Sequence, residues 1–207
     1  MSSRIETIIV LVGTENDSLY ALDTVSGAIL WKRSFLGTTN PVGDTNNTLN
    51  ATSIVAVPYA DTSSGDINPT IGITGTPVID PTTQVAYLVT VTKETIGGAA
   101  HYVQRLHAIN LADGTDKAAP SLIGDTTNGN TNNTPIYDYG TGKPVVQFNA
   151  LRENQRTSLD LENGSVYIEW ASHGDNGPAH LNCNSLRGND LKLLAIRSLD
   201  FKSLSGN

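Results

Sequence analysis

Apolar positions along the chain fall in short runs, each cut off by a cluster of turn residues. Ile8-Ile9-Val10-Leu11-Val12 is the first run, and Gly13-Thr14-Glu15-Asn16-Asp17 breaks it. Ser18-Leu19-Tyr20-Ala21-Leu22 reads as a second strand. Asp23-Thr24-Val25-Ser26-Gly27 is turn chemistry, and Ala28-Ile29-Leu30-Trp31-Lys32 starts a third strand. A hairpin of this size has no partner for its apolar face, so more sheet must follow.

The rest of the chain repeats this pattern with longer interruptions. Residues 37–70 read as a polar loop, broken by a candidate strand at Ser53-Ile54-Val55-Ala56-Val57. Regular structure resumes at Ile71 to Asp80, and Pro81-Thr82-Thr83-Gln84 is a turn. Val85 to Thr92 is the strongest strand signal, being rich in β-branched residues. Glu94 to Ala100 reads as a Gly-containing turn, His101 to Asn110 as the next strand, and residues 120–146 as a second polar loop. Thr157 to Leu161 and Ser165 to Trp170 flank the turn Glu162-Asn163-Gly164 as a further hairpin.

One motif occurs twice. Leu19-Tyr20-Ala21-Leu22-Asp23 aligns with Leu106-His107-Ala108-Ile109-Asn110, and each is followed four residues later by glycine, Gly27 and Gly114. The first copy resembles the repeat of the PQQ-binding-like β-propeller family, the quinoprotein alcohol dehydrogenase-like superfamily. That repeat is built on Ala-x-Asp-x-x-x-Gly-x-x-x-Trp, and Ala21, Asp23, Gly27 and Trp31 fill its four places. The second copy keeps Ala108 and Gly114, has Asn110 for Asp, and has Ala118 in the place of Trp. Gly75-Thr76-Pro77-Val78-Ile79-Asp80 is also typical of the start of a blade in that family.

The resemblance implies an all-β fold: an incomplete β-propeller of about three blades, each a four-stranded antiparallel sheet, with long loops. Propellers close with roughly four to eight blades, so the chain reads as a truncated member. The propeller-like part spans residues 1–180. Residues 181–207 form a divergent tail, read as disordered, as the product of a shifted frame, or around Asp190–Leu194 as a strand remnant or short helix.

Composition narrows the function classes. The chain has 207 residues, 38% of them hydrophobic, with a formal charge of −7 and no Lys/Arg cluster. A broad nucleic-acid surface is therefore not expected. A single Cys183 precludes an intramolecular disulfide. The Ile8–Val12 run is too short to span a bilayer and lacks the flanks of a leader peptide. Members of the family are mostly exported, so the missing leader implies a cytoplasmic protein or a chain cut short at its start, and the compartment stays open.

The candidate ligand-binding residues are Arg152, Gln155, Arg156, His173, Asp175 and His180. Arginine holds carboxylate or phosphate in two-pronged fashion, and inner propeller strands line a channel; the alternative is a salt-bridged cluster between blades. His173, Asp175 and His180 are metal-ligand types within eight residues, though their spacing fits no standard zinc motif and a stiff turn is the competing reading. Ala21, Asp23, Gly27, Trp31, Ala108, Asn110 and Gly114 are read as structural, with Trp31 packing between blades and Trp170 either doing the same or facing the channel. Asp44-Thr45-Asn46 and Asp125 to Asn130 are oxygen-rich but lack the Glu that completes an EF-hand.

Two functions remain. One is a non-catalytic binding or scaffold module that self-associates or pairs through open blade faces. The other, implied by the family name, is a quinoprotein-type dehydrogenase oxidising an alcohol or sugar with PQQ and calcium. The lone Cys183 excludes the vicinal disulfide common in such enzymes, and no catalytic residue or metal ligand is placed on this chain. The first reading is therefore preferred.

Overall fold

The structure, a computed structural model, describes residues 8–38, 48–129, 131–132, 134–137, 144–175, 181–187 and 192–199. It is all-β, with two 3-10 turns at Tyr59–Thr62 and His173–Asp175 as its helical elements among the described residues. Strands β1 (Ile9–Gly13), β2 (Ser18–Asp23) and β3 (Ile29–Ser34) form a three-stranded sheet in that order. The middle sheet holds β4 (Ser53–Pro58), β5 (Thr70–Ile71), β6 (Val78–Asp80), β7 (Val85–Ile96), β8 (Ala99–Asn110), β9 (Ser121–Thr127) and β10 (Thr131–Asn132). Its order is β10-β9-β8-β7-β4-β5, and β6 lies on the same edge of β7 as β4. Next, β11 (Thr134–Tyr137) pairs with β12 (Pro144–Phe148). After these come β13 (Glu153–Asn154), β14 (Asp160–Glu162), β15 (Ser165–Ile168), β16 (Ala171–Ser172), β17 (Leu181–Arg187) and β18 (Lys192–Leu199). β13 pairs with β16, and a third sheet runs β14-β15-β17-β18. Every pairing is antiparallel.

Several sequence expectations are corrected. Among the described residues the first sheet has three strands and the middle one seven, where four each were expected. The turn expected over Glu94–Ala100 shrinks to Gly97-Gly98, both at positive φ, and β7 and β8 pair over their full twelve residues. A two-residue turn of this kind matches the twist of its flanking strands. Part of the loop expected over 120–146 is strand, including β9. The stretch after residue 180 carries β17 and β18, which extend the third sheet through β15.

Alternation along β7 divides the interior. Val85, Tyr87, Val89 and Val91 enter the larger core with Leu106, Ile123, Phe148, Val166, Ile168 and Trp170. Leu88 faces the other way, into a smaller core with Leu19, Phe35, Ile73 and Ile109, flanked by Leu11 and Trp31. The middle sheet is thus buried on both faces, and the first sheet covers one of them.

Polar contacts fix that junction. The indole of Trp31 donates to the Leu111 carbonyl at 2.9 Å, and a Cβ at Gly114 would stand 2.7 Å from the Trp31 ring. Arg33 donates to the Gly114 carbonyl at 3.0 Å, pairs with Asp116, and lies 4.8 Å from the centre of the Phe35 ring. His107 packs on Phe35, with Nδ1 3.3 Å from Asp116 and Nε2 3.2 Å from Thr90. Burial, ahead of the opposing Asp116 carboxylate, holds the His107 pKa below its ordinary value. Glu94 and Arg105 form a buried two-pronged pair on the same sheet.

Candidate ligand site beside the Arg152–His173 ladder

The segment Asn149–Arg156 leaves β12 through a side-chain-stabilised turn. Asn149 Oδ1 accepts from the Leu151 and Arg152 amides at 3.1 and 3.2 Å, and its carbonyl accepts from the Glu153 amide at 2.9 Å. Gln104 of β8 holds the turn from below. Its Nε2 donates to the Ala150 and Glu153 carbonyls at 3.0 and 2.7 Å, and its Oε1 accepts from the Trp170 indole at 2.7 Å. With Trp170 edge-on to Phe148, every polar atom of the buried Gln104 amide that faces this joint is used. The short β13–β16 ladder, extended by the His173 amide donating to the Arg152 carbonyl at 3.0 Å, then sets His173 beside Arg152.

Burial is the largest influence on His173 and Glu153 at this ladder. His173 is 3% exposed, and its Nδ1 lies 3.8 Å from Asp66 Oδ1, beyond hydrogen-bond reach. Burial lowers the His173 pKa against the pull of Asp66, and the Arg152 and Arg156 cations act in the same direction as burial. Asp66 is held below the ordinary carboxylate range chiefly by the Ser64 hydroxyl. Glu153 is 5% exposed, and burial pushes its carboxyl up to about 8. It is therefore protonated at neutral pH. Glu153 Oε2, Asn154 Oδ1 and His173 Nδ1 have no hydrogen-bond partner among the described residues. Arg152 is anchored through the carbonyl of Thr62.

Of the six candidate residues, Arg152 and His173 stand side by side on the ladder, while the Arg156 side chain is exposed. Gln155 does not join them: its amide is buried against Gly75 and donates to the Thr157 carbonyl at 2.8 Å. A Cβ at Gly75 would overlap the Gln155 amide and displace it. Asp175 closes the 3-10 turn that begins at His173. His180 lies outside the described residues, as does Asp44-Thr45-Asn46. The oxygen-rich stretch from Asp125 begins within β9, and Asp125 sits 2.8 Å from His101 Nδ1. Asp23 and Asn110 turn their side chains to their own turns. Asp23 accepts from the Val25 and Ser26 amides and the Ser26 hydroxyl, and Asn110 donates to the Thr115 hydroxyl.

Sequence reasoning missed Asp66 and Asn154 at this site and Asp17 elsewhere. Asp66 stands 107 positions before His173, and nothing local marks it as a neighbour. Asp17 closes the β1–β2 turn and is fully buried, and burial raises its pKa well above the usual carboxylate range.

Among the described residues no three His, Cys, Asp or Glu side chains gather where one cation would take them. Glu94 is committed to Arg105, and Glu153 is kept neutral by burial. Compared with known protein families and with curated proteins, the chain matches none.

Proposed function

We propose that the chain is a non-catalytic scaffold of propeller-type blades that binds an anionic group at Arg152, Arg156 and His173. Recurrence of one register in successive sheets carries the reading. In the middle sheet Asp80 pairs with Val85 and Val78 with Tyr87; in the third, Glu162 pairs with Ser165 and Asp160 with Tyr167. An acidic residue, a turn and a tyrosine therefore stand at matching places. The two motif copies fold alike as well. Gly27 donates to the Asp23 carbonyl at 2.8 Å and Gly114 to the Asn110 carbonyl at 2.9 Å, with φ of 71° and 75°. Positive φ at that place is what makes glycine a motif residue.

The binding half of the reading rests on charge. Arg152 and the exposed Arg156 add positive charge near a neutral imidazole in a chain of net charge −7. Such a pair suits carboxylate or phosphate. The ionisable groups buried nearby are neutralised by burial or engaged in main-chain bonds, which supports a structural rather than a reacting role.

The test is PQQ- and calcium-dependent dye reduction with mixed alcohols and sugars on the purified chain. We expect no rate above buffer. Sustained turnover that requires both additions would overturn the reading in favour of a quinoprotein-type dehydrogenase.

A further inference from the structure

We infer that Asn163 is a self-modification site. The main-chain nitrogen of Gly164 closes on the Asn163 side-chain amide, and water opens the resulting ring to aspartate or isoaspartate.

The step balances with water as its only co-reactant. The Gly164 nitrogen loses its proton to solvent and bonds to Cγ of Asn163. The Cγ–Nδ2 bond breaks, and the nitrogen takes up a proton and leaves as ammonia. A cyclic imide remains. Water adding at Cγ breaks the new bond and restores the chain with aspartate. Water adding at the main-chain carbonyl breaks its bond to the Gly164 nitrogen, and the chain then runs through the side chain as isoaspartate.

The hairpin supplies what this step needs. Asn163 and Gly164 are the two central residues between β14 and β15, closed by the Glu162–Ser165 pair. Central residues of such a turn stand outside the ladder, so the peptide that must rotate carries no ladder bond. Both residues are exposed, with φ of 51° and 74°. Glycine leaves its own nitrogen unshielded, and even the place a Cβ would take at Gly164 has nothing within 4 Å. The tip is free to leave its positive-φ form while Leu159, Val166 and Ile168 stay seated in the larger core.

A second Asn-Gly pair gives an internal comparison. Asn128 and Gly129 follow β9 with nearly the same backbone, at φ of 51° and 71°. Their packing differs. The Asn128 amide donates to the Ala100 carbonyl at 2.6 Å, Gly129 is buried, and its carbonyl accepts from Asn149 Nδ2 at 3.4 Å. A Cβ on Gly129 would stand 2.6 Å from Leu151 Cδ2 and 3.7 Å from the Tyr102 ring. Rotating that peptide means displacing Asn149 and Leu151, whereas rotating the Asn163–Gly164 peptide moves the tip alone. One dipeptide in one local conformation is thus poised at one place and held at the other.

The consequence falls on the third sheet. Either product sets a new carboxylate next to Glu162, on the strand that also carries Asp160. Isoaspartate also adds a methylene to the main chain between Glu162 and Ser165, and in a hairpin this short the turn sets the register. The Leu161–Val166 and Asp160–Tyr167 pairs then lose their alignment.

The test is incubation of the full chain in mildly alkaline buffer, followed by site-resolved mass spectrometry and an isoaspartate-specific assay. In the folded protein Asn163 is expected to convert about tenfold or more faster than Asn128, because a loop tip opens at less cost than a packed segment. In urea the two rates should converge. Aged protein should show faster amide exchange in β14 and β15. Asn163→Gly, which keeps a residue suited to positive φ, should not loosen on the same timescale. Equal rates at the two sites in the folded chain, or an Asn163 that converts only in urea, would overturn the inference. Loosening of β14 in aged Asn163→Gly would overturn the consequence assigned to the modification.

Discussion

Replacing Glu153 with glutamine should stabilise the protein in a strongly pH-dependent way. The carboxyl lies 5% exposed, Oε2 has no described partner, and burial raises its pKa from 4.5 to about 8. Between those values the unfolded chain carries the charge and the folded chain does not. Because the folded value is the higher one, the neutral group's contribution is fully present below pH 4.5 and is lost as pH rises through 8. At ~1.4 kcal/mol per pH unit the full span corresponds to a loss of ~5 kcal/mol by pH 9, with ~3 kcal/mol already accrued at pH 7. A glutamine side chain keeps the shape and the buried polar atoms but removes the titration. Urea unfolding at pH 5, 7 and 9 should therefore show E153Q ahead by under ~1, ~3 and ~5 kcal/mol respectively. The other displaced groups, with Asp17 raised and His107 and His173 lowered, are common to both proteins and cancel in the difference. A gap that stays constant from pH 5 to 9 would refute the argument, because it would mean that the carboxyl ionises in the folded protein as it does in the unfolded one.

Two substitutions probe the joints between sheets. Gly114→Ala meets both a φ of 75° and the Trp31 ring 2.7 Å from its Cβ, whereas Gly27→Ala meets a φ of 71° in open space. We expect losses of ~3 kcal/mol and ~1 kcal/mol respectively in chemical unfolding, and equal losses would show that Trp31 does not rest on that turn. Glu94→Gln leaves the Arg105 cation buried without its full counter-charge and should cost ~3–5 kcal/mol, with much of it regained in Glu94→Leu/Arg105→Met. A cost under ~1 kcal/mol in the single variant would mean that water reaches the pair.

The elements legible in the sequence were those whose alternation and turn chemistry agree locally. The first hairpin, β7, and the Asn163-Gly164 turn with φ of 51° and 74° are examples. What stayed hidden depends on pairing across distance. Glu94 to Ala100 reads as a turn because of its glycines, Gly97 and Gly98. The register of β7 on β8 instead brings Arg105 within reach of Glu94, and Lys93 finds Asp61 at 2.6 Å. Residues 120–146 read as a polar loop, yet Gly124 lies in β9 where Phe148 rests on the strand and a Cβ would collide with its ring. At the candidate site, arginine and histidine were legible as types. The buried state of Glu153 was not, since no local pattern distinguishes a carboxyl headed for the interior from one headed for water.

The two tryptophans show how the hidden part of the fold is specified. Trp31 reaches from the first sheet to the Leu111 carbonyl of the middle sheet, and Trp170 reaches from beside the third to Gln104 on β8. Each indole brings a large apolar surface to a joint and a single N–H that accepts only one placement. The hydrophobic area holds the sheets together in any of several slid arrangements, and the directional bond selects one. Ala118, at the motif place where Trp31 stands in the first copy, packs against the core that contains Trp170. The second joint therefore draws its indole from the opposite partner. Ala118 carries no indole, and the Trp170–Gln104 bond fixes this joint instead. Among the described residues the middle sheet is gripped from both faces and the first sheet from one, and the apolar outer face of the first sheet follows from that asymmetry.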